Sequence, residues 1–188
     1  MDAQASPDFT RNLRYQLWRR GITRERWALQ LIEWLDCGER RAWQLLRGDL
    51  PGQEELRSLA EQVELTEEAL QFGNLAGHVQ ILTENLRYLL DAPKRGGKKV
   101  LAAELGVQQA SISRWLRGGR PEPRHQAAIR KYFGLPASID LENDPLFLEL
   151  SPVGSYEQRA WLRQHVDELD DETLRVLFPA LERLLRQP

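Results

Sequence analysis

Apolar residues recur every three or four positions along most of the chain, the spacing of helices that bury one stripe. Phe9, Leu13 and Leu17 form such a stripe behind Ser6-Pro7, an N-cap followed by proline at the first helical position. The stripe runs down to Gly21, and Thr23 is placed to cap a second helix reaching about Leu35. A third helix is predicted from about Glu39 to Arg47 and a fourth from about Glu54 to Val63. A fifth starts at Thr66. Further helices fall near 78–91, 98–105, 109–117 and 124–133. Sustained two-residue alternation is missing, except in LFLEL, Leu146 to Leu150, which reads as a short strand or an extended piece packed on the core. The expected fold class is all-α.

The pattern also repeats. Phe9, Leu13 and Leu17 recur as Leu82, Leu86 and Leu90, and TRNLRYQL is echoed by TENLRYLL, at an offset of 73. Further on the offset is 70: Leu31 matches Leu101, Leu35 matches Leu105, Arg47-Gly48 matches Arg117-Gly118, Pro51 matches Pro121 and Leu65 matches Leu135. A three-residue length change between the first two helices accounts for the shift. Two copies of one supersecondary unit are therefore expected, in residues 1–76 and 77–135. Residues 136–154, rich in Pro, Ser and Asp, read as a linker. Residues 155–188 read as a helical hairpin. Ser155 with Gln158 makes a capping box for its first helix, and Asp170 or Asp171 caps its second. Leu174, Leu177, Phe178, Leu181, Leu184 and Leu185 form one greasy face, with a kink or restart expected at Pro179.

Charge changes the picture. The net charge of -2 hides three blocks: -3 over residues 1–76, +7 over 77–135 and -6 over 136–188. A basic block between acidic ones points to a polyanion partner for the middle third. No apolar run approaches the length of a membrane span, and MDAQASPDF does not read as a secretory signal, so no membrane association is expected. Cys37, the single cysteine, allows no intrachain disulfide, which suits a reducing cytoplasm. It reads as a turn-plugging small residue whose acidic neighbours raise the thiol pKa. The motifs GxxxxGK[ST], GxSxG and HExxH do not occur, and His78, His125 and His165 show no ligand spacing. We therefore expect no enzyme, no cofactor and no metal.

The candidate chemistry lies in LAAELGVQQASISRWLRGGRP, residues 101–121. Leu101, Ala102 and Leu105 share a helix face, and small Ala102 lets a second helix cross closely. Gly106 suits a left-handed helix end, and Val107 plugs the core from the turn. Ile112, Trp115 and Leu116 line the buried face of the next helix, leaving Gln109, Ala110, Ser113 and Arg114 outward. Gln bonds adenine bidentately, Arg forks onto guanine, and Ser111 and Ser113 suit phosphates or bases. Lys94, Arg95, Lys98, Lys99, Arg117 and Arg120 flank this helix as backbone-binding cations.

This stretch, followed by AAIRKYFGL, resembles the helix-turn-helix of the Cro and lambda-repressor type, the XRE-like family. The resemblance covers residues 78–135 and extends loosely to 9–75. It implies two tandem helix-turn-helix domains ahead of the C-terminal hairpin. Gln109, Ala110, Ser111, Ser113 and Arg114 would then face the major groove, with phosphates at the start of the second helix. In the first copy Ile32, Asp36 and Cys37 replace Ala, Gly and Val, while Arg40, Arg41 and Gln44 keep groove-binding chemistry as a possible second DNA site. The expected function is a sequence-specific double-stranded DNA-binding regulator, a repressor that occludes a promoter, with a homodimer presenting two reading helices. The alternative is an antitoxin or adaptor that holds a protein partner through residues 1–76 or 155–188, with DNA binding for autoregulation.

Overall fold

The structure, a computed structural model, describes residues 7–77, 79–91, 97–166 and 168–186. It is all-α: among the described residues there are eleven α-helices, two short 3-10 turns and no strand. The first unit holds α1 (Pro7–Arg19), α2 (Trp27–Leu35), α3 (Glu39–Arg47), α4 (Gln53–Gln62) and α5 (Glu67–Phe72). The second holds α6 (Ile81–Asp91), α7 (Gly97–Glu104), α8 (Gln109–Trp115) and α9 (Pro123–Phe133). The hairpin is α10 (Ser155–Val166) and α11 (Asp171–Arg186). No helix among the described residues is long and apolar enough to cross a membrane.

Caps account for several of the boundaries. The Thr66 hydroxyl accepts from Ala69 N at 3.1 Å and starts α5. Asp170 accepts from Thr173 N at 2.8 Å and starts α11. Thr23 makes no such bond; a 3-10 turn over Arg24–Arg26 leads into α2 instead. The expected Ser155–Gln158 capping box is replaced as well. The Gln158 amide donates to Pro152 O at 3.2 Å and so braces the preceding turn. Pro179 causes no restart: α11 continues through it as one helix. The Ser6 cap expected at α1 lies outside the described residues.

Two cores follow the repeat. Phe9, Leu13 and Leu17 of α1 pack with Leu31, Leu45, Leu46 and Leu59; Leu82, Leu86 and Leu89 of α6 pack with Leu101, Ile112, Trp115 and Ile129. Fully burying each such side chain contributes about 1.5–3 kcal/mol. Backbone conformation repeats at the offset of 70 as well. Asp36 and Gly106 have φ of 47° and 63°, Gly48 and Gly118 have 123° and 100°, and Glu64 and Gly134 have 56° and 62°. Buried polar groups repeat too. Asn12 donates to Leu70 O and Gly73 O, and Asn85 donates to Leu141 O and Asp144 O, so each ties its helix to the segment that closes its unit. Arg14 donates to Leu46 O and Arg87 to Leu116 O, so each satisfies a carbonyl at the end of a helix that has run out of partners.

Residues 136–154, read from sequence as a linker, form a packed strap. Leu141, Leu146, Phe147 and Leu148 are buried. LFLEL is neither a strand nor extended: Leu146–Leu148 make a 3-10 turn, seated between α1 and α6. Trp18 tilts against Phe147 at 5.7 Å and meets Tyr88 edge-on at 5.8 Å. Its indole N–H donates to Glu84 at 3.2 Å. Arg14 donates to Leu148 O and Arg24 to Leu146 O, each at 3.2 Å. Burial lowers the Arg14 guanidinium from its ordinary value; Glu149 opposes this and Arg24 adds to it. The strap thus fixes the two units against one another and leaves the far faces of α3 and α8 outside the joint.

Candidate nucleic-acid interface

The placement of α8 follows from its inward residues. Leu101 and Ala102 bury the inner face of α7. Gly106 then turns left-handed with φ of 63°, which glycine adopts without a Cβ penalty. Val107 N donates back to Ala102 O at 2.9 Å, closing the helix end. Ile112 and Trp115 pin α8 to the core. Thr83 Oγ1 donates to Trp115 O at 3.3 Å and Arg87 to Leu116 O at 3.2 Å, so α6 holds the end of α8. Gly118 follows with φ of 100°, a conformation that glycine adopts without a Cβ penalty.

With those positions turned inward, Gln109, Ala110 and Arg114 are exposed and Ser111 and Ser113 half-buried. Among the described residues, the side chains of Gln109, Ser111, Ser113 and Arg114 have no hydrogen-bond or ion-pair partner within the chain. The five candidate base-reading residues therefore share one short helix whose outer side is open to solvent.

The flanking cations divide. Lys98 and Lys99 are exposed at the start of α7, and Arg117 is exposed just past α8, its Nε donating to Ser113 O at 3.2 Å. Lys98, Ser113 and Arg117 border an open cleft of about 810 Å³ together with Arg87, whose guanidinium is ion-paired with Glu84. Arg87 was not singled out from sequence, although the repeated Asn-Leu-Arg-Tyr marks it as the counterpart of Arg14. Lys94 and Arg95 lie outside the described residues. Arg120 is a correction to the set of free backbone cations. Its Nε donates to Glu142 Oε1 at 2.7 Å and its Nη2 to the other carboxylate oxygen. Gln126 donates to the same carboxylate at 2.6 Å. Arg120, then Gln126, hold the Glu142 carboxyl below the usual carboxylate range. The acidic strap reaches back to claim Arg120 across 22 positions, which local sequence does not reveal.

The corresponding face of the first unit differs. Arg40 is exposed and Gln44 half-buried. Arg41 is not available for a groove, which corrects its place in the possible second DNA site. It forks onto Glu55 at 2.8 and 2.6 Å and donates to Leu50 O at 2.9 Å. Arg47 lies over the Trp43 ring at 5.7 Å. Asp36 and Glu39 are exposed and bring negative charge to this surface. Cys37 plugs the turn against the first core. Burial pushes its thiol up, with Glu55 as the next cause in place of the expected sequence neighbours.

Among the described residues no group of three or more His, Cys, Asp or Glu is arranged to hold a metal ion. No family model, no curated protein and no solved structure matches the chain.

Proposed function

We propose that the chain is a sequence-specific double-stranded DNA-binding regulator in which residues 1–76 and 77–135 are tandem helix-turn-helix domains and the second does the reading. In this reading α8 enters the major groove, Gln109 and Arg114 contact base edges, and Ala110, Ser111 and Ser113 complete the fit. Lys98, Lys99 and Arg117 neutralise phosphates on either side. Regulation is by occlusion of a promoter, so the protein acts as a repressor. The first unit serves as a braced support, since Arg41 is held by Glu55 and its outer face carries Asp36 and Glu39. The observation that carries the reading is the open face of α8, whose polar side chains have no partner among the described residues, inside a block of net charge +7.

The test is selection from a random duplex library at two salt concentrations, followed by titration of the enriched site. Arg114→Ala costs about 1–3 kcal/mol on that site and relaxes its specificity. Lys98→Ala weakens all duplexes alike and flattens the dependence of log affinity on log salt by about 0.9. A library with no enriched sequence, together with binding indifferent to salt, refutes the proposal.

A further inference from the structure

α8 is seven residues long, too short to hold its own shape in water, so its order is borrowed from its neighbours. Its far end is fixed from α6. Leu116, the residue that closes α8, offers its carbonyl to Arg87 Nη2 at 3.2 Å. The Arg87 side chain is 50 % exposed, and one bond alone does not offset the freedom such a long side chain gains by swinging into water. Glu84, one turn back on α6 and 16 % exposed, supplies a second restraint by taking Arg87 Nη1 on one carboxylate oxygen. Its other oxygen accepts from the Trp18 indole N–H of the first unit at 3.2 Å. Trp18 is in turn seated on Phe147 of the strap and Tyr88 of α6, at 5.7 and 5.8 Å. A continuous chain of polar contacts therefore runs from Trp18 through Glu84 and Arg87 to the end of α8.

The first unit shows what Glu84 adds. There Arg14, the counterpart of Arg87, puts Nε and Nη2 on Leu46 O and Nη1 on Leu148 O, and three backbone bonds hold it. The counterpart of Glu84 is Arg11. The carboxylate thus stands only in the unit whose arginine is exposed, at the helix end that carries Arg114 two residues before Leu116. We propose that Glu84 is a positioning residue for α8, through which Trp18 of the first unit sets the order of the helix end that carries Arg114. The coupling is a property of the free chain; its bearing on base contacts deepens the DNA reading above and rests on it. A Glu–Arg pair three positions apart on a helix adds little to global stability, so the effect is local to α8.

Amide hydrogen exchange on the free, full-length chain reads that order. Glu84→Gln speeds exchange at Leu116, Gly118 and Gly119, whose N–H groups bond back into α8, about fivefold, the worth of one net hydrogen bond, while the amides of α9 keep their wild-type rates. Trp18→Phe keeps an aromatic ring against Phe147 and Tyr88, removes the N–H and speeds the same three amides. In Arg87→Met they are already fast, and adding Trp18→Phe changes them no further. Wild-type rates in Glu84→Gln overturn the proposal, as does equal acceleration of α8 and α9, or a Trp18→Phe effect that persists in Arg87→Met. On the duplex enriched from the library, Trp18→Phe alters no charge and lowers affinity about threefold, with the salt dependence unchanged. Unchanged affinity there overturns the role in base reading. Failure of the DNA reading itself looks different: the wild type then enriches no sequence, and the exchange rates still decide the coupling.

Discussion

At equivalent places in the two units, Asp36 and Gly106 take the same left-handed backbone, as do Glu64 and Gly134. Leu31 and Leu101 fill the same inner face, and Arg14 and Arg87 hold the same helix end. Outside, the agreement stops. The face of α3 carries Glu39 and an Arg41 committed to Glu55, whereas that of α8 carries Gln109 and an Arg114 with no partner among the described residues. The difference separates two kinds of information. Inward side chains and turn conformations are enough to rebuild the unit, even where glycine has been replaced by Asp or Glu. Outward side chains are free to differ, and binding chemistry is written there.

The largest expected effect comes from the joint between the units. Phe147 is buried beside Trp18 and belongs to neither core. Phe147→Ala should cost about 3–5 kcal/mol and leave the units less coupled, visible in urea as a broadened or two-step transition. A single transition of unchanged midpoint would show that the units do not depend on the strap. Next come the paired asparagines. Asn12 makes three bonds, because Leu75 N also donates to it at 3.2 Å, while Asn85 makes two and its Oδ1 is buried without a partner among the described residues. Asn12→Ala should cost about 2–3 kcal/mol, since it strands two carbonyls and an N–H; Asn85→Ala should cost about 1 kcal/mol less. Equal losses would remove the claim that the first unit is the better braced.

The helices, the repeat and the outward placement of Gln109 and Arg114 were legible because each rests on short-range spacing. Ile112 and Trp115 at helical spacing force Gln109 and Arg114 outward, whatever the rest of the chain does. What escaped was contact across distance. Leu146, Phe147 and Leu148 carry no helical or strand period, so their apolarity announced burial but not the 3-10 turn that fits them between two helices. The Arg120 link to Glu142 and the Arg41 link to Glu55 join residues whose approach is set by tertiary packing, and each removed a cation that spacing alone had counted as available.

Those two ion pairs give a smaller contrast. Arg41 holds the Glu55 carboxyl below the ordinary glutamate range, chiefly by hydrogen bonding. A depressed folded-state value means stabilisation that is full above the unfolded value and lost as pH falls through the folded one. Glu55→Gln should therefore cost about 1 kcal/mol at neutral pH and almost nothing near pH 2. The Arg120–Glu142 pair is solvent-washed on its arginine side, so Glu142→Gln should change stability less. Urea midpoints measured across that pH range decide both, and an equal or larger loss at Glu142 reverses the ranking.

The smallest effect probes the backbone directly. Glu64 sits at φ of 56° with its side chain exposed, where its counterpart is Gly134. A non-glycine residue in that region costs about 1 kcal/mol, and glycine returns part of the gain by enlarging the entropy of the unfolded chain. Glu64→Gly should thus stabilise by about 0.5 kcal/mol through relief of backbone strain alone. Asp36→Gly should gain less, because Asp tolerates the left-handed region better than Glu. The reverse exchange should cost more than Glu64→Gly gains. A Cβ at Gly134 would displace the Ser155 hydroxyl and stand 3.3 Å from Ser155 Cβ, at the entrance of α10, so there a side chain would crowd a neighbour as well as strain the turn. A loss of stability in Glu64→Gly would mean that the exposed Glu64 side chain contributes more than its backbone strain costs, and the two units would then differ at the turns as well as on their faces.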